Sequence, residues 1–161
     1  MLDHLTDAEN GKIDWREFAG HYFGEAHPMF SQFNVKIIDV SDQEVKMEAS
    51  LSRDLRAEHS EHFLHTGALT LLLDSAFGIA LFAHIRELTP IATINLKTDY
   101  LSPAKSEAKL ICTASCFARD GNVARMQGEV RSYASQTVLA KATAAFMIGT
   151  KGPSFASPKG T

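Results

Sequence analysis

The chemistry that this sequence could perform centres on one carboxylate in an apolar run. Residues 65–83 read HTGALTLLLDSAFGIALFA, and Asp74 is the one carboxylate among them. Burying an unpaired, ionised carboxylate costs several kcal/mol, so Asp74 must be hydrogen-bonded, protonated or open to a cavity. A carboxylate held in this way can act as a general base or as a nucleophile. The alternative interpretation is a structural Asp that bonds to a neighbouring helix end or backbone amide.

The run around Asp74 has the composition of a buried helix. It is rich in Leu and Ala, contains no Pro and is longer than a typical strand. Its apolar residues leave no polar stripe, which predicts a helix over about residues 66–84 that is covered on all sides. A membrane-spanning helix is not predicted, because Asp74 interrupts an apolar run that is already short of the roughly 20 residues a bilayer requires.

Length and composition limit the remaining possibilities. The 161 residues are 45% hydrophobic and 22% charged, which is typical of one globular domain. We expect that domain to cover residues 13–149, with a flexible lead-in at 1–12 and a disordered tail at 150–161. The net charge of -3, without a basic run that carries aromatics, argues against nucleic acid as a partner.

The N-terminus and the cysteines bear on the compartment. The first residues lack the basic start and apolar stretch of a secretory signal. Cys112 and Cys116 lie in a strand-like run, where four residues span roughly 13 Å, too far for a disulfide between them. We therefore expect a cytoplasmic protein with reduced thiols and no membrane partner.

Periodic patterns on both sides of the central run predict a second helix and a sheet. Asp14 followed by Glu17 has the spacing of a capping box, and apolar residues at helical spacing continue towards Pro28. The aromatic side chains of this helix either pack in the core or lid an apolar pocket. Runs that alternate between apolar and polar residues predict strands at 34–40, 43–52, 91–101, 110–118, 124–134 and 138–148.

The connections decide how these strands pair. Short turn signals, such as the one at Arg119–Asn122, favour hairpins and therefore an antiparallel sheet. This sheet must wrap the central helix, because the sequence predicts no other element large enough to cover it. The result is an α+β arrangement of five to six strands, one central helix and one N-terminal helix. One such sheet does not easily cover a helix that is apolar all round, so a partner subunit is expected.

Three motifs occur in the order and at the spacing of a known family. They are His65-Thr66-Gly67-Ala68, Asp74-Ser75-Ala76 and, at residues 93–104, TINLKTDYLSPA. Together they resemble the hotdog-fold acyl-CoA thioesterases of the phenylacetate-degradation (PaaI-like) type. In that family an HGG-type turn opens the central helix, an acid follows the His, and the next strand ends in a YLxPA-like sequence. The resemblance implies a hotdog fold and hydrolysis of an aromatic or short- to medium-chain acyl-CoA to free acid and CoA, without a cofactor.

The resemblance also implies a role for individual residues. The catalytic carboxylate falls on Asp74, and the oxyanion-hole amide falls on Thr66, with Gly67 beside it at the helix N-terminus. A polar residue at the start of the following strand assists in some relatives, and it falls on Thr93. Side chains of a regular strand alternate between its two faces, so Thr93 would lie on the same face as Asn95. Thr93 would then reach the site only if that face formed the subunit interface, or if a bulge changed the alternation.

The spacing of two of these residues bears on assembly. Thr66 and Asp74 are eight residues apart, which is about 12 Å along a helix. A thioester carbonyl needs its oxyanion donors at about 3 Å, so one chain does not easily bring both groups to one carbonyl. Two chains can, which agrees with the family's arrangement of acid and amide on different subunits. We therefore expect a homodimer that assembles further into a homotetramer.

Three positions depart from the family pattern, and one of them is His62, which stands where a Gly is frequent. Thr66 stands where a Gly is usual, and a β-branched residue would be strained there if the backbone required φ > 0. His59 stands where the family commonly has an Asn that helps to position substrate or water. These departures favour an alternative function, a non-catalytic hotdog protein that binds acyl-CoA. A hotdog dehydratase or hydratase is a further alternative, although the Pro-Gly turn of that class is absent.

The remaining candidates concern ligands. The spacing of His59, His62 and His65 suggests a metal site, but no Cys or consistent carboxylate spacing completes a four-ligand set, so no metal is predicted. His59 and His65 are instead candidates for contacts with substrate or water. The phosphates of CoA require cations. Candidate cations, each with a solvated surface charge as the alternative, are Arg119, Arg125, Lys97 and Lys105.

Overall fold

The computed structural model of the chain describes residues 13–21, 33–57 and 62–151. Within these ranges the elements are α1 (Trp15–His21), β1 (Lys36–Val40), β2 (Val45–Ser50), a short 3-10 helix (Arg53–Leu55), α2 (Thr66–Ile85), β3 (Ile91–Tyr100), β4 (Lys109–Asp120), β5 (Val123–Ser132) and β6 (Val138–Ile148). The predicted lead-in, most of the predicted tail, Pro28 and His59 lie outside the described residues.

The six strands form one antiparallel sheet in the order β1-β2-β4-β5-β6-β3. The two hairpins that join β4, β5 and β6 turn at Gly121 and Gln136, whose φ values of 55° and 56° lie in the left-handed region. The strand that follows the central helix, β3, lies at the far edge beside β6. The predicted arrangement of an antiparallel sheet with one central and one N-terminal helix is confirmed.

The central helix α2 has 20 residues, and its predicted bounds are correct to within one residue. His65 is the N-cap, and Arg86 ends the helix in the left-handed conformation with its N–H donating to Phe82 O at 2.8 Å. By length and composition α2 could span a membrane, but most of it is buried inside the sheet. It is therefore the core helix of the fold.

Small residues let the sheet approach α2 closely. Ala114, Gly128 and Ala142 pair with one another across β4, β5 and β6. A Cβ atom on Gly128 would lie 2.4 Å from the carbonyl oxygen of Thr113 and 2.9 Å from the ring of Phe77 on α2. Only a residue without a side chain fits at this contact without movement of the backbone.

The helix is not covered on every side, which corrects the expectation that it lacks a polar stripe. Thr66, Thr70, Asp74 and Gly78 follow one another at four-residue intervals, which places them on one face. Each remains at least partly exposed, whereas eleven other residues of α2 are buried. Strands β2 to β6 contact the buried part of the helix, and this stripe faces the open side next to the edge strand β3.

The N-terminal helix α1 begins as the sequence predicts. Oδ1 of Asp14 accepts hydrogen bonds from the backbone amides of Arg16 and Glu17 at 2.9 and 3.0 Å. Phe18 is buried and packs edge-on against Phe82 of α2, with ring centroids 6.0 Å apart. Phe18 therefore packs in the core and does not form a lid over a pocket.

Candidate functional site

Asp74 lies in the middle of α2 and faces the edge strand β3. Its Oδ1 accepts a hydrogen bond of 3.0 Å from the hydroxyl of Thr93. Its Oδ2 makes no hydrogen bond to any residue in the described ranges, and the side chain is only partly buried. One carboxylate oxygen is thus held in place while the other is open to water or to a ligand.

A β-bulge brings Thr93 to Asp74. Thr93 pairs with Phe146, and the pairing resumes one residue late at Asn95, so Ile94 is the extra residue in β3. A bulge was one of the two arrangements that the sequence required for Thr93 to reach this site. Bulges commonly re-aim a side chain next to a functional site, and here the bulge turns the hydroxyl inward while it leaves Ile94 51% exposed.

The N-terminus of α2 offers one free amide. The ring nitrogen Nδ1 of His65 accepts a hydrogen bond of 3.1 Å from the Gly67 N–H. The Thr66 N–H has no acceptor in the described part of the chain. The residues with positive φ do not include Thr66, so the strain considered for a β-branched residue does not arise. The donor available to a ligand is therefore the Thr66 amide, while the Gly67 amide is already engaged.

The charge around this amide favours an anion. The first turn of α2 contains no acidic residue. The positive end of the helix dipole, worth roughly half an elementary charge, is therefore not neutralised by a side chain of the helix itself. An oxyanion that forms near Thr66 would meet an unpaired N–H and a favourable field.

A third polar group on the stripe was not predicted from the sequence. The Thr70 hydroxyl lies 2.6 Å from the Tyr100 hydroxyl and 3.3 Å from that of Thr98. Thr70 is one helical turn from Thr66 and one from Asp74. The signal was present in the sequence as three polar residues at four-residue spacing on a mostly apolar helix.

The structure brings some predicted site residues together and separates others. Asp74 and Thr93 are in contact. Thr66 and Asp74 belong to one straight helix, so about 12 Å of helix separates them within one chain. The described chain therefore presents the Asp74 carboxylate and the Thr66 amide on the same open face, but not at one point.

The candidate cations are dispersed. Arg119 lies at the end of β4, three strands away from β3, and its Nε donates to the Gly121 carbonyl at 3.0 Å. Lys97 is paired with Asp99 at 3.0 Å. Lys105 pairs through its backbone with the loop that leads into α2, which places it nearest to the Thr66 end.

The histidines have different surroundings. His65 caps α2 through its ring, and His62 is exposed in the preceding loop. Among the residues that the structure describes, no group of three or more His, Cys, Asp or Glu side chains could hold a metal ion. His59, a predicted substrate contact, lies outside those residues.

Comparison with known proteins adds a family and a fold. Residues 61–139, just under half of the chain, match the model of the thioesterase superfamily. A search of curated proteins finds no significant match.

Three solved structures are similar to this one. A thioesterase family protein from Silicibacter pomeroyi has a TM-score of 0.72 at 22% identity, with 83% of this chain and 97% of that chain covered. A hypothetical thioesterase protein with coenzyme A from Streptococcus pneumoniae has a TM-score of 0.69 at 18% identity, with coverage of 83% and 99%. Thioesterase superfamily member 2 from Mus musculus has a TM-score of 0.69 at 18% identity, with coverage of 84% and 95%. These likenesses establish the hotdog fold.

Proposed function

We propose that this chain is a hotdog-fold acyl-CoA thioesterase of the PaaI-like type, with catalytic sites that form between two subunits. The observation that carries the proposal is the contact between Asp74 and Thr93, which holds one carboxylate oxygen and leaves the other open on the exposed stripe of the core helix. The match of residues 61–139 to the thioesterase superfamily supports it.

A second copy of the chain completes the site. The edge strand β3 has ten residues, and no strand in the described part of the chain pairs with its outer side. Such an edge is normally covered or paired. Ile94, Tyr100 and Leu101 expose between 47% and 55% of their surfaces along it. A partner placed against this edge would cover the open stripe of α2 and bring its own Thr66 amide to Asp74.

The chemistry follows from these groups. Oδ2 of Asp74 takes a proton from a water molecule, and the water oxygen attacks the thioester carbonyl carbon. The partner's Thr66 N–H donates to the oxyanion of the tetrahedral intermediate. Collapse of the intermediate breaks the C–S bond, and the sulfur leaves with the proton from Asp74 as free CoA thiol. Thr93 keeps the carboxylate oriented throughout, and no cofactor is required.

The proposed substrate class follows from one similar structure and from the reactivity of thioesters. One similar structure was solved with coenzyme A, and a thioester is activated enough to need only a base and an oxyanion donor. We propose an aromatic or short- to medium-chain acyl group and a cytoplasmic location. Lys105, beside the Thr66 end of α2, is the best placed of the candidate cations for a phosphate of CoA.

Release of CoA thiol from a panel of aromatic and aliphatic acyl-CoAs tests the proposal. Asp74→Asn should lower kcat by about 10²–10⁴-fold at unchanged dimer mass, because it removes the base. Asp120→Asn, which neutralises an exposed carboxylate at the distant hairpin, is the matched control and should retain wild-type activity.

Two results would contradict the proposal. Equal activities of the Asp74→Asn and wild-type proteins would remove Asp74 from the mechanism. A wild-type protein that hydrolyses no thioester on the panel, yet is stabilised against heat by acyl-CoA, would be the non-catalytic binding protein instead.

A further inference from the structure

The hydroxyl cluster of Thr70, Tyr100 and Thr98 has no role in the chemistry described above. It lies on the same stripe of α2 as Thr66 and Asp74 and is midway between them, four residues from each. Its location in the assembly follows from symmetry, provided that the proposed site between two subunits is correct.

The separation of Thr66 and Asp74 along α2 places the cluster relative to the symmetry axis. In a two-fold symmetric dimer, Asp74 of each subunit faces the partner's Thr66. The midpoint between Thr66 and Asp74 in one subunit then lies close to the same midpoint in the other. A point that lies close to its own symmetry mate lies close to the two-fold axis. That midpoint is Thr70.

We propose that Thr70 and Tyr100 lie at the two-fold axis of the dimer, where their hydroxyls and those of the partner form a polar junction between the two catalytic sites. The 2.6 Å contact ties α2 to the edge strand at this point. Tyr100 is 47% exposed in the single chain, so there is surface left for the partner to cover.

A junction at the axis positions both sites at once. The distance from Asp74 to the partner's Thr66 depends on how the two copies of α2 pack against each other, and residues at the axis set that packing. Thr70 is held to β3 by Tyr100 and Thr98, as Asp74 is held to β3 by Thr93. Thr70 and Tyr100 are therefore positioning residues that do not touch the reacting atoms.

Cross-linking tests the placement. Thr70→Cys is made in a Cys116→Ser background, which leaves the buried Cys112 as the one native thiol. Facing Cα atoms of two packed helices fall within the roughly 4.4–6.8 Å that a disulfide spans. Copper-catalysed oxidation should therefore give a covalent dimer on a non-reducing gel. Thr66→Cys in the same background is the matched control and should stay unlinked, because its two copies are about 12 Å apart.

Kinetics test the positioning role. Thr70→Val keeps the shape but removes the hydroxyl, and should lower kcat about 10-fold with little change in KM. Thr70→Ser keeps the hydroxyl and should restore kcat. A purely structural role would lower the melting temperature of Thr70→Val and leave the kcat of the folded dimer unchanged.

The possible outcomes separate this inference from the proposed function. In one outcome the dimer hydrolyses thioesters while the Thr70→Cys variant fails to form the disulfide, or while the Thr66→Cys variant forms it instead. Either result overturns this inference but leaves the proposed function intact. An active monomer overturns both the inference and the shared site. Linking at 70 together with a hydroxyl-dependent kcat supports the junction.

Discussion

Replacing Thr66 with Pro removes one N–H and should change little else in the folded chain. Thr66 is the first residue of α2, where Pro is favoured because the N–H there has no partner in the helix. His65 has φ -65° and ψ 130°, in the extended region that a residue before Pro prefers. The Thr66 amide has no acceptor in the described part of the chain, so no hydrogen bond among those residues is lost. Loss of one oxyanion donor should lower kcat about 10²–10³-fold, or about 2.7–4 kcal/mol.

The assay is CoA thiol release, with the melting temperature measured on the same samples. A change of 1 kcal/mol shifts the melting temperature by about 2–4 °C in a domain of this size, and we expect Thr66→Pro to stay within that range. Thr66→Ala keeps the amide and is the matched control, with activity expected within a few-fold of wild type. A Pro variant that keeps wild-type kcat, or an Ala variant that loses as much as the Pro variant, would refute the assignment of the oxyanion to this amide.

Three further predictions concern the support of the site and the core. Thr93→Val removes the 3.0 Å hydrogen bond to Asp74 and should lower kcat about 10-fold, whereas Thr93→Ser should preserve it; equal kcat values for the two variants would contradict the orienting role. Gly128→Ala should destabilise the fold by about 1–3 kcal/mol in thermal unfolding, because its Cβ would lie 2.4 Å from a backbone oxygen. Gly20→Ala, on α1 with no neighbouring atom within 4 Å, should be neutral or stabilising, and similar losses at both glycines would argue against close helix–sheet contact. Burial raises the pKa of the Cys112 thiol, so it should stay protonated at alkaline pH and resist iodoacetamide until the protein unfolds; mass spectrometry that finds it labelled in the native state as fast as in denaturant would contradict this burial.

The sequence was sufficient for the elements with strong periodicity. The Leu- and Ala-rich run predicted α2 almost to its ends, and the alternation of apolar and polar residues predicted the strands. Asp74 was found because a carboxylate in such a run requires an explanation, and its contact with Thr93 supplies one. These signals are local, so a single sequence carries them.

The features that depend on pairing could not be predicted. Whether Thr93 reaches Asp74 depends on the bulge at Ile94, which the register between β3 and β6 determines. Another bulge, between Cys116 and Ala118, pairs Ala118 with Arg125 and leaves Ala118 exposed, although regular alternation would place it on the same face as Cys112 and Cys116. Alternation alone does not reveal where a strand gains a residue.

The polar stripe was missed for a different reason. In the sequence, Thr70 lies within a run whose neighbours are mostly apolar, and Tyr100 belongs to the motif at residues 93–104. Their contact joins residues that are 30 positions apart, so only the folded structure reveals it. The orientation of the His65 ring is likewise not visible in the sequence. In the structure this ring accepts the hydrogen bond of the Gly67 amide, so the Thr66 amide is the donor left for a ligand.

In the proposed dimer, each catalytic site takes Asp74 from one subunit and Thr66 from the other. Asp74→Asn and Thr66→Pro chains with different tags can be co-expressed and the mixed dimer purified through both tags. One site of that dimer would carry both substitutions and the other site neither. The mixed dimer should therefore show about half of the wild-type kcat, although each parent homodimer has lost about 10²-fold or more. A mixed dimer as inactive as its parents would mean that each chain contains its whole site, which would contradict the account.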